Sequence, residues 1–242
     1  MSDTLPLRTS LVGLIGFAAA EEEMLLALAR SEADPGSPQC WGGRPLVAHN
    51  AEFKRQQAER LEAIHLGETP PSFAEVDHSS PDLYRHYSEQ SADLVARASR
   101  DATQALVDGL CSTADDDLLD PSRNAWLDGR KLWLQIVVRG FWHPTGHLGE
   151  YYLTHAKPQR AIALQAQAVA VAVYLGAPDE ARGMACYNLA CAAARADLPN
   201  DALDALSDAI SLNPALRVNA RKDSDLGDLR EAGLMDVLLS TE

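Results

Sequence analysis

Strand-like alternation of apolar and polar residues is missing from this chain, and with it the main sequence signal of a sheet. A basic stripe is missing too: the formal charge is −14, with 14 Lys/Arg against 23 Asp/Glu in residues 1–157 and 7 against 12 in residues 158–242. Both halves are acidic, so the phosphate neutralisation that drives nucleic-acid binding has no source, and attachment to anionic lipid is disfavoured for the same reason. Cysteine is sparse. Cys40, Cys111, Cys186 and Cys191 have neither CxxC spacing nor the density of a disulfide-stapled secreted domain, and they read as reduced thiols in a cytoplasm. No apolar run is long enough to span a bilayer. The stretch "LVGLIGFAAA" at 11–20 has no basic segment before it and the acids Glu21, Glu22 and Glu23 directly after it, so it reads as part of a core helix and not as a leader. No GxGxxG, P-loop or Ser/His/Asp arrangement is present, and neither Cys40 nor Cys111 has an evident partner to activate it as a nucleophile.

What is present is helix-forming. Ala and Leu dominate a chain that is 46% hydrophobic and 23% charged, which fits a folded globular protein. Apolar residues recur at spacings of three and four over 7–31, 45–66, 81–111 and 129–156. Pro45 suits the first turn of the second of these segments, where its missing N–H would have no partner anyway. Leu132, Ile136, Phe53 and Leu94 are the expected core. Four long amphipathic segments separated by polar loops predict a four-helix bundle over residues 1–157.

From Pro158 the texture becomes Ala-rich, with helices expected at 158–175, 178–196 and 198–212. The block "MACYNLACAAARADLPNDALDALSDAISLNP" resembles a tetratricopeptide (TPR) unit: Ala190, Ala202 and Ala209 stand where paired helices cross closely, and Pro214 ends the second helix. The tail "ARKDSDLGDLREAGLMDVLL" is similar to the end-of-group segment that follows the last TPR in many bacterial proteins. Residues 158–242 are therefore expected to form a short TPR-like helical segment, a candidate surface for a protein partner.

Chemistry concentrates in the histidines. His49, His143 and His147 each fall on an apolar helical face, whereas His65, His78, His86 and His155 sit near loops or on polar faces. Two imidazoles at i and i+4 with a third from a neighbouring helix offer three neutral nitrogens around one point, with positions left for water or substrate. The competing reading is three core histidines bonded to carbonyls. Pro144 forbids an unbroken α-helix through "RGFWHPTGHLGEYY" (139–152), so a bend or restart is expected there, with His143 cap-like if the helix restarts. Such a bend can swing His143 toward His147 and His49, or can serve only to fit the following segment.

A helical bundle with "VAHN" early in its second helix and "HPTGHLGEYY" in its fourth resembles the DinB-like (DinB/YfiT-like) superfamily. That superfamily includes metal-dependent thiol transferases, mycothiol-dependent isomerases and cyclopropane hydrolases that protect producers of alkylating natural products. The resemblance implies an all-α, DinB-like four-helix bundle with His49, His143 and His147 as ligands of a divalent metal. It also implies hydrolysis or thiol transfer on a small electrophilic substrate, with ring opening by water feasible even without metal. Zinc is the first choice on ligand chemistry; nickel, manganese and iron are the alternatives. Glu52, three residues after His49, is a candidate general base or imidazole-orienting group, or a solvated helix glutamate. Arg139, one turn before His143, can pin a substrate carboxylate or lie along the surface. Tyr151, one turn after His147, can donate a proton or simply pack. The alternative to an enzyme is a helical scaffold that binds a protein through its TPR-like segment. A homodimer stays open, and no nucleic acid or membrane partner is expected.

Overall fold

The computed structural model describes residues 4–31, 36–38, 40–73 and 81–240, and among these the regular structure is helical except for a short ribbon, β1 (Gly36–Ser37) paired antiparallel with β2 (Cys40–Trp41). The fold is all-α. His78 lies outside the described residues. Among them, no helix is long and apolar enough to cross a membrane. By contacts the chain divides into two compact units, Met1–Pro144 and Thr145–Glu242.

In the first unit, α1 (Thr4–Ser31), α2 (Gly43–His65), α4 (Ala92–Ser112) and a broken fourth segment beginning with α6 (Leu132–Val137) pack on one another. Their buried stripes follow helical spacing: Leu11, Ile15, Ala18 and Leu25 on α1, and Val95, Ser99, Ala102, Leu106 and Leu110 on α4. Pro45 does lie in the first turn of α2, and Gly67, at φ +72, closes the far end in the left-handed region that glycine tolerates. The third segment is not continuous. It divides into α3 (Pro81–Ser88) and α4 because Ser91 adopts an extended conformation and its hydroxyl accepts the Leu94 N–H at 3.3 Å, starting a new helix. That cap leaves Leu94 in the first turn and 46% exposed, outside the core expected for it. The acidic loop before the fourth segment folds into α5 (Asp115–Leu119) and two 3-10 turns. Asp128 (φ +51) and Gly129 (φ +80) then turn the chain into α6.

The core of this unit is not wholly apolar. Glu22 sits in the apolar stripe of α1 and meets Lys54 of α2 at 2.7 Å, both side chains fully buried. Ser99 donates to the same carboxylate oxygen at 2.9 Å, and Thr103 lies 3.3 Å from the ammonium.

After α6 the backbone widens into a π-helical turn, Val138–Trp142, before α7 (His143–Thr154). The His143 N–H reaches the Val138 carbonyl, five residues back, so the ladder has already shifted when the chain reaches Pro144. The expected bend is thus a bulge and not a break, and His143 is helical (φ −63, ψ −50) instead of cap-like. Gly140 lets this turn press against its neighbours: a Cβ there would lie 2.7 Å from Ile15 and 3.1 Å from Leu106. Gly140→Ala is expected to destabilise the fold by about 1–3 kcal/mol through overpacking, read as a lower urea midpoint at unchanged slope.

In the second unit, α8 (Pro158–Tyr174), α9 (Asp179–Arg195) and α10 (Pro199–Leu212) pack in sequence, α9 against both others. Ala190, Ala202 and Ala209 are fully buried, so small side chains do sit where α9 and α10 approach. The tail contributes Leu216, Ala220, Leu226 and Met235 to the same core. The unit starts inside α7, before the 157/158 boundary read from composition. Gln165 of α8 donates to the Thr145 carbonyl at 3.3 Å, and side-chain-free Gly149 gives it room.

Candidate metal centre

α2 presents His49, Phe53, Gln56 and Arg60 at helical spacing along one face, and the π turn with the start of α7 presents Arg139 and His143. His49 is fully buried. Its ring lies against Phe53 (centroids 4.5 Å apart), Trp41 (5.5 Å, edge-on) and Tyr87 (5.6 Å, edge-on). His143 stacks on Phe53 at 4.2 Å and 12°. These rings hold the two imidazoles so that their Nε2 atoms face each other at 3.1 Å.

His147 follows His143 by one turn of the same helix, and ligand nitrogens of His49, His143 and His147 all lie within 4.8 Å of one another. Two nitrogens about 2.0–2.1 Å from one tetrahedral cation stand about 3.3 Å apart, so the 3.1 Å separation suits two ligands of one ion. A proton shared as N–H···N satisfies the same pair, but it does not call for a third nitrogen. The π turn directly before His143 supplies the extra backbone that sets this ring's direction, a use such bulges often have at functional sites. The donors are three imidazoles without a carboxylate, a set that favours zinc and the later first-row metals over magnesium or calcium.

The other candidates stand apart from one another. Glu52 is committed to Arg55 (2.6 and 2.9 Å) and Gln56 (3.0 Å), and the hydrogen bond from Arg55 holds its carboxyl below the ordinary range, which weakens it as a base. Arg139 lies with its guanidinium 4.4 Å from the Phe53 ring, one ring away from His49 and His143. Tyr151 is buried and stacks on His155 at 3.8 Å, toward the end of α7 away from His143. Trp41 and Tyr87 form part of the wall although sequence reasoning passed over them. Burial, then the Glu52 charge, pushes the Tyr87 hydroxyl up to about 12, so it stays a proton donor at neutral pH. A feature that hinted at Trp41 is its place in the Gly/Pro-rich segment next to Pro45.

Within the second unit His147 also lines a cavity of about 330 Å³, together with Glu150, Tyr187, Cys191, Asp223 and Asp225. Cys191, Asp223 and Asp225 form a further group of close donors. Their contacts are structural: Asp223 accepts from the Tyr187 hydroxyl (2.8 Å), the Cys191 thiol (3.7 Å) and the Asp225 N–H (3.0 Å), fastening the tail to α9. Burial and the two aspartates push the Cys191 thiol up, which keeps it protonated as a donor to Asp223.

No protein-family model matches the chain, and neither a curated protein nor a solved structure is significantly similar to it.

Proposed function

We propose that the protein is a metal-dependent enzyme acting on a small electrophilic substrate, by hydrolysis or thiol transfer, with His49, His143 and His147 holding a divalent cation, zinc first. One observation carries the reading: three imidazoles from two helices bring nitrogens within 4.8 Å of one another, with the rings of Phe53, Trp41 and Tyr87 fixing the buried member. The likeness of "VAHN" and "HPTGHLGEYY" to the DinB-like pattern supports it from the sequence side. A bound cation would supply Lewis acidity and lower the pKa of water or a thiol. The chain's own share is positional. Phe53 keeps His49 and His143 in register, the π turn aims His143, and the cavity beside His147 admits a small molecule. Four cysteines without a disulfide suit a reducing cytoplasm, where we place the enzyme, and we take the α8–α10 layer as TPR-like.

Elemental analysis of protein purified without a histidine tag tests this directly. About one equivalent of a divalent transition metal per chain is expected, lost in His49→Ala. Metal-free protein that takes up no zinc, nickel, manganese or iron on dialysis overturns the reading in favour of a scaffold.

A further inference from the structure

Along the face of α2 that carries His49 and Phe53 lie two arginines, Arg60 on the helix itself and Arg139 against Phe53. Arg60 is 7% exposed, and its guanidinium carbon lies 4.9 Å from the Phe73 ring centroid and 5.3 Å from that of Trp126. Its Nε donates to the Pro71 carbonyl at 3.3 Å, while Nη1 is buried with no acceptor among the described residues. The Trp126 indole N–H is likewise buried and has no acceptor among the described residues. Arg139 rests on Phe53, and among the described residues no carboxylate stands within ion-pair distance of Arg60 or Arg139. Burial, and then the charge of Arg60, lowers Arg139 to about 10, and burial lowers Arg60 as well.

Every one of these groups donates and none accepts. Desolvated donors without partners are disfavoured, and two guanidiniums that sense each other's charge are more so. The complement is a group with several acceptor oxygens and a negative charge, for which the planar fork of arginine is suited. Aromatic faces against both guanidiniums fix the planes of those forks in advance.

We propose that Arg60, Arg139 and Trp126 form a recognition site for an oxyanion, the carboxylate or phosphate of a small ligand. Phe53 touches Arg139 as well as His49 and His143, so the site adjoins the imidazole cluster. The ligand is then a substrate whose anionic end is held by the arginines while its electrophilic end reaches the histidines. That second placement rests on the metal-enzyme reading; the anion site itself does not.

Sodium benzoate and inorganic phosphate, titrated separately by calorimetry into the full-length protein before and after metal removal with a chelator, provide the test. Saturable binding of at least one probe is expected at millimolar concentration or below, in both preparations, with a shift of the Trp126 indole N–H resonance identified by its loss in Trp126→Phe. Benzoate alone binding assigns a carboxylate on an apolar body; phosphate binding as well assigns a general oxyanion site. Arg139→Gln should weaken binding at least tenfold and Arg139→Lys less, since a point charge replaces the fork. The indole shift in wild type needs no variant, so a misfolded Arg60 or Arg139 substitution does not remove the test. Absence of saturable binding by either probe, or binding that Arg139→Gln leaves unchanged, overturns the proposal. Binding confined to the metal-loaded protein and indifferent to Arg139 would assign the anion to the metal, leaving the metal reading intact. Binding in a protein that never holds metal would do the reverse.

Discussion

In a metal enzyme of the kind proposed, replacing His147 with alanine is expected to strip the metal and abolish activity while leaving the helices in place. His147 is only partly buried, one turn into α7, and the cores of the two units are built by other residues, among them Leu132, Ile136, Leu106 and Leu206. If it is a ligand, its loss leaves two nitrogens 3.1 Å apart and an open coordination sphere, and affinity falls by orders of magnitude. Because metal binds the folded form, wild type held at 100–1,000 times Kd gains about 2.7–4.1 kcal/mol that a chelator removes and that the variant never has. A histidine that merely packs would lose about 1–3 kcal/mol on truncation, a range close enough that a single melt cannot decide. The difference between melts with and without chelator does decide. It should be several degrees in wild type and vanish in His147→Ala. A variant that melts lower than wild type by the same amount in both conditions, with unchanged bound metal, makes His147 a packing residue.

Some of this arrangement is legible in the sequence. α2, α8, α9 and α10 begin and end within about two residues of the bounds expected for them, 45–66, 158–175, 178–196 and 198–212, because proline and glycine near these bounds fix backbone angles locally. The convergence of His143 and His49 is half legible: spacing puts them on inward faces, and Pro144 demands an irregularity. Its form, a π turn fitted under Ile15 and Leu106 by Gly140, depends on packing that no local pattern records. The break at Ser91 is written in a cap residue that the long apolar periodicity of 81–111 masked. Arg60 and Trp126 were hidden differently. An arginine in a charged helix and a tryptophan in an acidic loop look like surface and filler until the fold brings them to 5.3 Å. Glu22 and Lys54 are the extreme case, since each alone reads as solvated and only the pair is compatible with complete burial.

That pair supplies the largest stability effect expected in the fold. Lys54→Met should cost about 3–5 kcal/mol, because it leaves Glu22 buried with one hydroxyl, Ser99, to solvate a charge that an ammonium at 2.7 Å compensated. The other oxygen of Glu22 already has no donor among the described residues, so nothing nearby can take over. Glu22→Leu should be comparably damaging, with the Lys54 ammonium left to Thr103 alone at 3.3 Å. The double variant Glu22→Leu/Lys54→Met removes both charges together. Since the desolvation of two ions offsets most of their attraction, it should lie within about 1 kcal/mol of wild type or above it, by up to about 4 kcal/mol. Urea unfolding of the four proteins closes the cycle, with a coupling of at least about 3 kcal/mol between the two sites. Additive single effects would mean that the charges do not depend on one another for their burial. The ion pair would then be incidental to the three-helix contact of α1, α2 and α4, and the bundle would owe its register to its apolar stripes alone.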